Sequence, residues 1–171
     1  MLTRPKETEF APFQKKYMDT VSDDVMAELA KQREYFCEYI ENLTTEQLDY
    51  RYEEGKWSIK EVIIHLIDTE IIFNYRALAI ARGEKNNLLG FDQDEYMANV
   101  SVDHMDKEYL YNFFNITRYG SLILYKGFTD DQWDIVGQAS GNKMSLRSFP
   151  HMLAGHLNHH YKILKERYTF S

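Results

Sequence analysis

Residues 58–82, SIKEVIIHLIDTEIIFNYRALAIAR, constrain the fold more than any other stretch. Ser58 and Glu61 have the spacing of a capping box, so a helix begins here. Gly83 offers it an end in the left-handed conformation. Between these limits Ile59, Val62, Ile63, Leu66, Ile71 and Phe73 leave almost no polar face. A helix that is apolar nearly all round must be buried on more than one side, so it needs several neighbours.

Three further segments supply them. From about Ser22 to Leu43, Val25, Leu29, Phe36, Tyr39, Ile40 and Leu43 fall on one side at helical spacing. Ser22 is the expected N-cap, with Asp23 and Asp24 in the first turn. TTEQL after it reads as a short extra turn. From about Asp106 to Lys126 the inner stripe is Leu110, Phe113, Phe114, Thr117, Ser121, Leu124 and Tyr125. The last helix runs from near Ser145 to about Tyr168, with Phe149, Met152, Leu153, His156, His160 and Ile163 on one face. Pro150 falls in its second turn, where a missing N–H costs less than at mid-helix.

The rest is connection. Residues 1–20 show no helical period and read as an extended arm. The link from Gly83 to Asp106 is long, and LLGFDQDEYM within it has room for a short helix; long connections in compact domains are often functional covers. TDDQ at Thr129 is another capping box, and GQASGNKM reads as a glycine-containing loop. No segment alternates as a strand would. Four helices of about 30 Å match an antiparallel four-helix bundle in one all-α domain, residues 1–171.

The last helix carries an anomaly: three histidines within AGHLNHHYKIL. His156 and His160 are four apart, so both imidazoles share one helical face and can reach one ion. His159 sits about 60° to the side. His65 lies in the middle of the apolar helix at 58–82. If the two helices pack, three nitrogens converge. Neutral imidazoles suit zinc or nickel best, with copper, iron(II) or manganese as other candidates. Three protein ligands leave a coordination position open, the pattern of a catalytic site. The competing reading is a network of core histidines bonded to carbonyls. Asp68 is a candidate to orient an imidazole, although it and Glu70 read more simply as residues of helix-pairing or solvated faces. Arg76 and Arg118 point along inner or edge stripes, where a structural ion pair is the simpler reading and contact with a carboxylate or substrate the alternative. His104 and His151 are set aside. No Glu-x-x-His pair, His-Glu-x-x-His or phosphate-binding glycine loop occurs.

A net charge of −7 argues against binding a phosphate backbone, so no nucleic-acid partner is expected. Cys37 is the only cysteine and reads as a small core residue in a reducing compartment. MLTRPKETEFAPFQKKYMD lacks the apolar core of a signal peptide, and no apolar run approaches membrane-spanning length. A cytoplasmic protein without membrane contact is the expectation.

YRYEEGKWSIKEVIIHLIDTE, YRALAIARGE, GFDQDEY and AGHLNHHYKILKERY, in this order, resemble the DinB/YfiT-like family of four-helix metal-binding proteins. The likeness runs from about residue 8 to residue 168. It implies an up-and-down bundle in which His65, His156 and His160 hold one divalent ion, while His159 matches a doubled histidine that is not usually a ligand. It further implies chemistry on a small-molecule substrate, most often transfer involving a low-molecular-weight thiol such as bacillithiol or mycothiol, and a homodimer in several members. The alternatives are a metal-dependent hydrolase and a non-catalytic metal-binding stress-response protein.

Overall fold

The computed structural model describes residues 2–169. Met1, the first residue of the expected arm, and residues 170–171 lie outside them. The helices are α1 (Lys15–Met18), α2 (Val25–Glu41), α3 (Thr45–Asp49), α4 (Ile59–Ala81), α5 (Gln93–Ala98), α6 (Lys107–Lys126) and α7 (Ser148–Arg167). Two strands, β1 (Val136–Ala139) and β2 (Asn142–Ser145), and 3₁₀ turns at Glu7–Glu9, Pro12–Gln14 and Asp130–Asp134 complete the described elements.

Local chemistry explains most boundaries. Ser58 Oγ accepts the Glu61 N–H while Glu61 accepts the Ser58 N–H at 2.6 Å, so α4 begins at its capping box. Asp106 caps α6 through the N–H of Tyr109. The cap of α2 is Asp24, which accepts from Ala27, and not Ser22. Pro150 is the third residue of α7, inside the first turn, where its missing N–H has no helical partner to lose. The arm is less extended than its sequence suggests: 3₁₀ turns at Glu7–Glu9 and Pro12–Gln14 lead into α1.

The hairpin corrects the expectation of a plain loop. β1 and β2 pair antiparallel from Val136 with Ser145 to Ala139 with Asn142. The two turn residues, Ser140 and Gly141, have φ of 53° and 75°, the geometry that matches strand twist in a two-residue hairpin. Leu88 from the long connection pairs with Ala139, extending this small sheet by one bridge.

α2, α4, α6 and α7 form the expected four-helix bundle, but its neighbouring helices are not all antiparallel as expected. α2 packs on α6 and α7, and α4 packs on the same two helices. The consecutive pairs α2/α4 and α6/α7 therefore face each other across the diagonal. Two apolar clusters fix the directions. One holds Val25, Leu29, Phe73, Ala77, Tyr125 and Phe149. The other holds Phe36, Ile40, Ile63, Leu110, Phe114 and Leu164. α4 and α6 both run from the second cluster to the first, and α2 and α7 run the opposite way. Two neighbouring helices that point the same way need a return segment as long as the bundle, and residues 82–106 are that segment.

Between the clusters lies a polar belt to which all four helices contribute. Arg118 on α6 forms two parallel hydrogen bonds to Glu70 on α4, at 2.7 and 2.9 Å. Its Nη1 donates to Gln32 on α2 at 2.8 Å, and Gln32 donates to the Ala154 carbonyl and to Asn158 on α7. Ser121 adds a hydrogen bond to Glu70 at 2.6 Å. A carboxylate with three charge-assisted or hydroxyl donors is fully compensated, so the belt holds the helices in register without an orphaned charge.

Candidate metal centre

His65 stands in the middle of α4, and His156 and His160 one turn apart on α7, so helix packing alone brings the three rings together. His156 Nε2 lies 3.1 Å from His65 Nε2 and 3.1 Å from His160 Nε2. One ligand atom from each residue lies within 4.8 Å of the others. Tyr17, from α1, meets His156 edge-on at 5.9 Å between ring centroids, and Trp57 lies 4.9 Å from His65.

Hydrogen bonding does not account for this cluster. A neutral imidazole carries one proton, and His156 Nε2 would have to serve two neighbours with one lone pair or one N–H. A cation would take all three lone pairs. Metal–nitrogen bonds of about 2.0–2.1 Å in a tetrahedron place the nitrogens about 3.4 Å apart, close to the spacing found. Electrostatics agree. Burial brings the His65 imidazole down to about 4, and burial with His65 opposite brings His160 to about 3. His156 is held well below the ordinary value by burial and by its two partners. All three are neutral at pH 7, the form that donates a lone pair.

The centre opens on a cavity of about 400 Å³. His65, Thr69, Phe73 and Arg76 form one wall along α4, and Met152 and His156 face them from α7. The long connection roofs it with Phe91, Asp92, Gln93 and Asp94. His160 borders a separate depression beside Trp57 and Tyr168, and Gln93 and Asp94 line that one too. The start of α5 thus stands over the centre between two openings. The cover expected of this connection is present.

Other candidates resolve as follows. Among the described residues no hydrogen bond joins Asp68 to an imidazole; its half-buried carboxyl is pushed up by desolvation alone. Glu70 belongs to the helix-pairing belt, and Arg118 is the structural ion pair. Arg76 is not: it opens into the cavity. His159 stacks edge-on against Tyr17 at 5.2 Å instead of joining the cluster. His151 is buried, with Nδ1 2.9 Å from the Arg147 carbonyl. Cys37 is a buried core thiol, pushed up by burial. Tyr17 escaped the sequence reading because nothing in an aperiodic arm says which ring folds back onto α7. Gln93 and Asp94 were visible only as part of GFDQDEY.

A four-helix bundle that turns three imidazoles from two helices to one point beside a roofed cavity defines a class, the helical bundle with a candidate metal centre at mid-height. The chain belongs to the DinB superfamily, whose family model matches residues 28–164 and so includes all three histidines. Its fold matches that of YfiT from Bacillus subtilis, described as "a probable metal-dependent hydrolase with an unusual four-helix bundle topology", with a TM-score of 0.71 at 18% identity. That match covers 95% of this chain and 89% of the YfiT chain. No protein of curated function matches the sequence. Among the described residues no helix is long and apolar enough to cross a membrane.

Proposed function

We propose that the chain is a metal-dependent enzyme acting on a small molecule, with His65, His156 and His160 as the ligands of one divalent ion, zinc or nickel foremost. The observation that carries this reading is that the three Nε2 atoms converge where two of the rings also line a cavity. When bound, the ion supplies Lewis acidity and stabilises a thiolate or other anionic oxygen or sulfur donor. The remaining work falls to the chain. Phe73, Phe91 and Met152 supply apolar wall to the cavity, and the belt of Glu70, Arg118 and Gln32 ties α4 through α6 and α2 to α7. The reaction favoured is transfer to a low-molecular-weight thiol, as the family resemblance implies. Hydrolysis is the second reading, supported by the description of YfiT as a probable hydrolase.

Elemental analysis of protein purified without a metal-affinity tag tests the centre, with His65→Ala as control. One equivalent of metal in the wild type and near none in the folded variant supports the reading; equal retention in both overturns it. Thiol consumption against a panel of electrophiles, run beside ester and amide panels, separates transfer from hydrolysis.

A further inference from the structure

Among the described residues two arginines are buried in the bundle, and they are compensated differently. Arg118 is 1% exposed and is held by both oxygens of Glu70. Arg76 is 6% exposed, and among the described residues it pairs with no carboxylate. Its Nη2 donates to the Leu89 carbonyl at 2.6 Å and to Ser140 Oγ at 3.2 Å, both neutral acceptors. The Phe73 and Phe91 rings lie 5.7 and 5.8 Å from its guanidinium carbon. These contacts fix the plane of the group and leave Nε and Nη1 without a partner among the described residues. Burial pulls its pKa down from the ordinary arginine value, as for a desolvated charge, yet a guanidinium stays protonated at neutral pH. A fixed cationic fork with free donors is organised in advance for an oxyanion.

Arg76 faces the same cavity as His65 and His156. His65, Thr69, Phe73 and Arg76 follow one another at helical spacing, so they form a single stripe down one wall. Three turns separate the first from the last, about 16 Å between backbone positions. Phe73, Met144 and Met152 give the cavity apolar wall, alongside polar groups that include Gln14, Thr69 and Asn142. Asp92 and Asp94 also line it. Asp92 is engaged in capping α5, accepting the N–H groups of Asp94 and Glu95. Two aspartates in the roof disfavour a multiply charged group, so one carboxylate fits better than a phosphate dianion.

We infer that Arg76 is the carboxylate-binding end of this cavity, and that its ligand is an elongated monocarboxylate whose other end reaches the histidine centre. The far end of this assignment rests on the metal-dependent reading above; the Arg76 end does not.

The two ends are tested separately. Octanoate and octanol are titrated calorimetrically into chelator-treated protein. Octanoate should bind about tenfold tighter or better, Arg76→Gln should remove the preference, and Arg76→Lys should restore part of it. Equal affinities in the wild type, or a preference that survives in folded Arg76→Gln protein, overturn the assignment. If that variant does not fold by circular dichroism, chloride decides: a preference of wild-type protein that weakens as chloride rises supports an anion site, and one indifferent to chloride overturns it. For the far end, ω-mercapto-octanoate and ω-mercapto-octanol are added to cobalt(II)-loaded protein and the thiolate-to-cobalt absorption band is followed. Both should give the band, the acid at about tenfold lower concentration. A band at equal concentrations counts against Arg76. No band with either thiol overturns the bridging of the two ends and leaves the octanoate result to judge Arg76 alone.

Discussion

His65 Nε2 and His156 Nε2 stand 3.1 Å apart across the α4–α7 interface, although 91 positions separate them in the chain. With the proton on Nδ1 of both rings, each Nε2 presents a lone pair that the other cannot use. A metal at this point would tie two helices together as well as complete the site. Chelation should therefore lower the melting temperature of metal-loaded protein, with a free-energy loss of about 4 kcal/mol where free metal stood at a thousand times its dissociation constant. His160→Ala should abolish the shift while the chelated variant melts close to chelated wild type. Differential scanning calorimetry with and without chelator reads both.

Arg118 and Glu70 are each almost wholly buried, so the pair cannot be halved cheaply. Glu70→Ala leaves a guanidinium stranded between four helices and should cost about 3–5 kcal/mol in urea unfolding. The double variant Glu70→Leu, Arg118→Met removes both charges and should recover much of that loss. A single variant as stable as wild type would mean that the belt contributes nothing to the bundle.

A Cβ on Gly155 would stand 2.3 Å from the Tyr17 carbonyl oxygen and 2.5 Å from its carbon. That obstacle is backbone, so it cannot swing aside as a side chain does. Gly155→Ala should lift α1 from α7 at a cost of about 1–3 kcal/mol, loosening the edge-on contact of Tyr17 with His156. Trypsin cleavage after Lys15 and Lys16 should accelerate, with the fragments identified by mass spectrometry.

Acid should destabilise the metal-free protein through the same rings. The His65 and His160 values, about 4 and about 3, lie below the roughly 6.5 of an exposed imidazole. The unfolded chain therefore takes up protons first as pH falls. The contribution of neutral imidazoles is whole above about pH 6.5 and is lost between there and the folded values, at up to about 1.4 kcal/mol per pH unit for each ring. Urea midpoints measured in chelator from pH 7.5 to 5 should fall, and His65→Ala should flatten the slope. Equal slopes in both proteins would refute this account of the burial.

The helices and turns were legible where capping chemistry was local: Ser58 with Glu61, Asp106 before its apolar stripe, Thr129 with Gln132. Ser22 and Asp24 both suit an N-cap, and only the path of the chain into α2 chooses Asp24. Strands of four residues are too short to show alternation, so Ser140–Gly141 was the one available sign of a hairpin. The direction of α6 was hidden because a hydrophobic period has no sign; reversing a helix leaves its stripe intact. His156 and His160 followed from helical spacing, whereas their meeting with His65 depends on which helices pack. The same limit applies to the arginines. Arg76 and Arg118 occupy similar stripes, and only the position of Glu70 opposite Arg118 separates a structural pair from a group free to face the cavity.

Because α4 and α6 lie side by side and point the same way, the chain has to travel back along the full height of the molecule before it can start α6. That journey passes over the histidines, and the passing strand becomes their ceiling. The ceiling's sequence is not bound by the helical period that governs the pillars beneath it. Variants in this one stretch could therefore reshape what enters the chamber while the pillars and their imidazoles stay as they are.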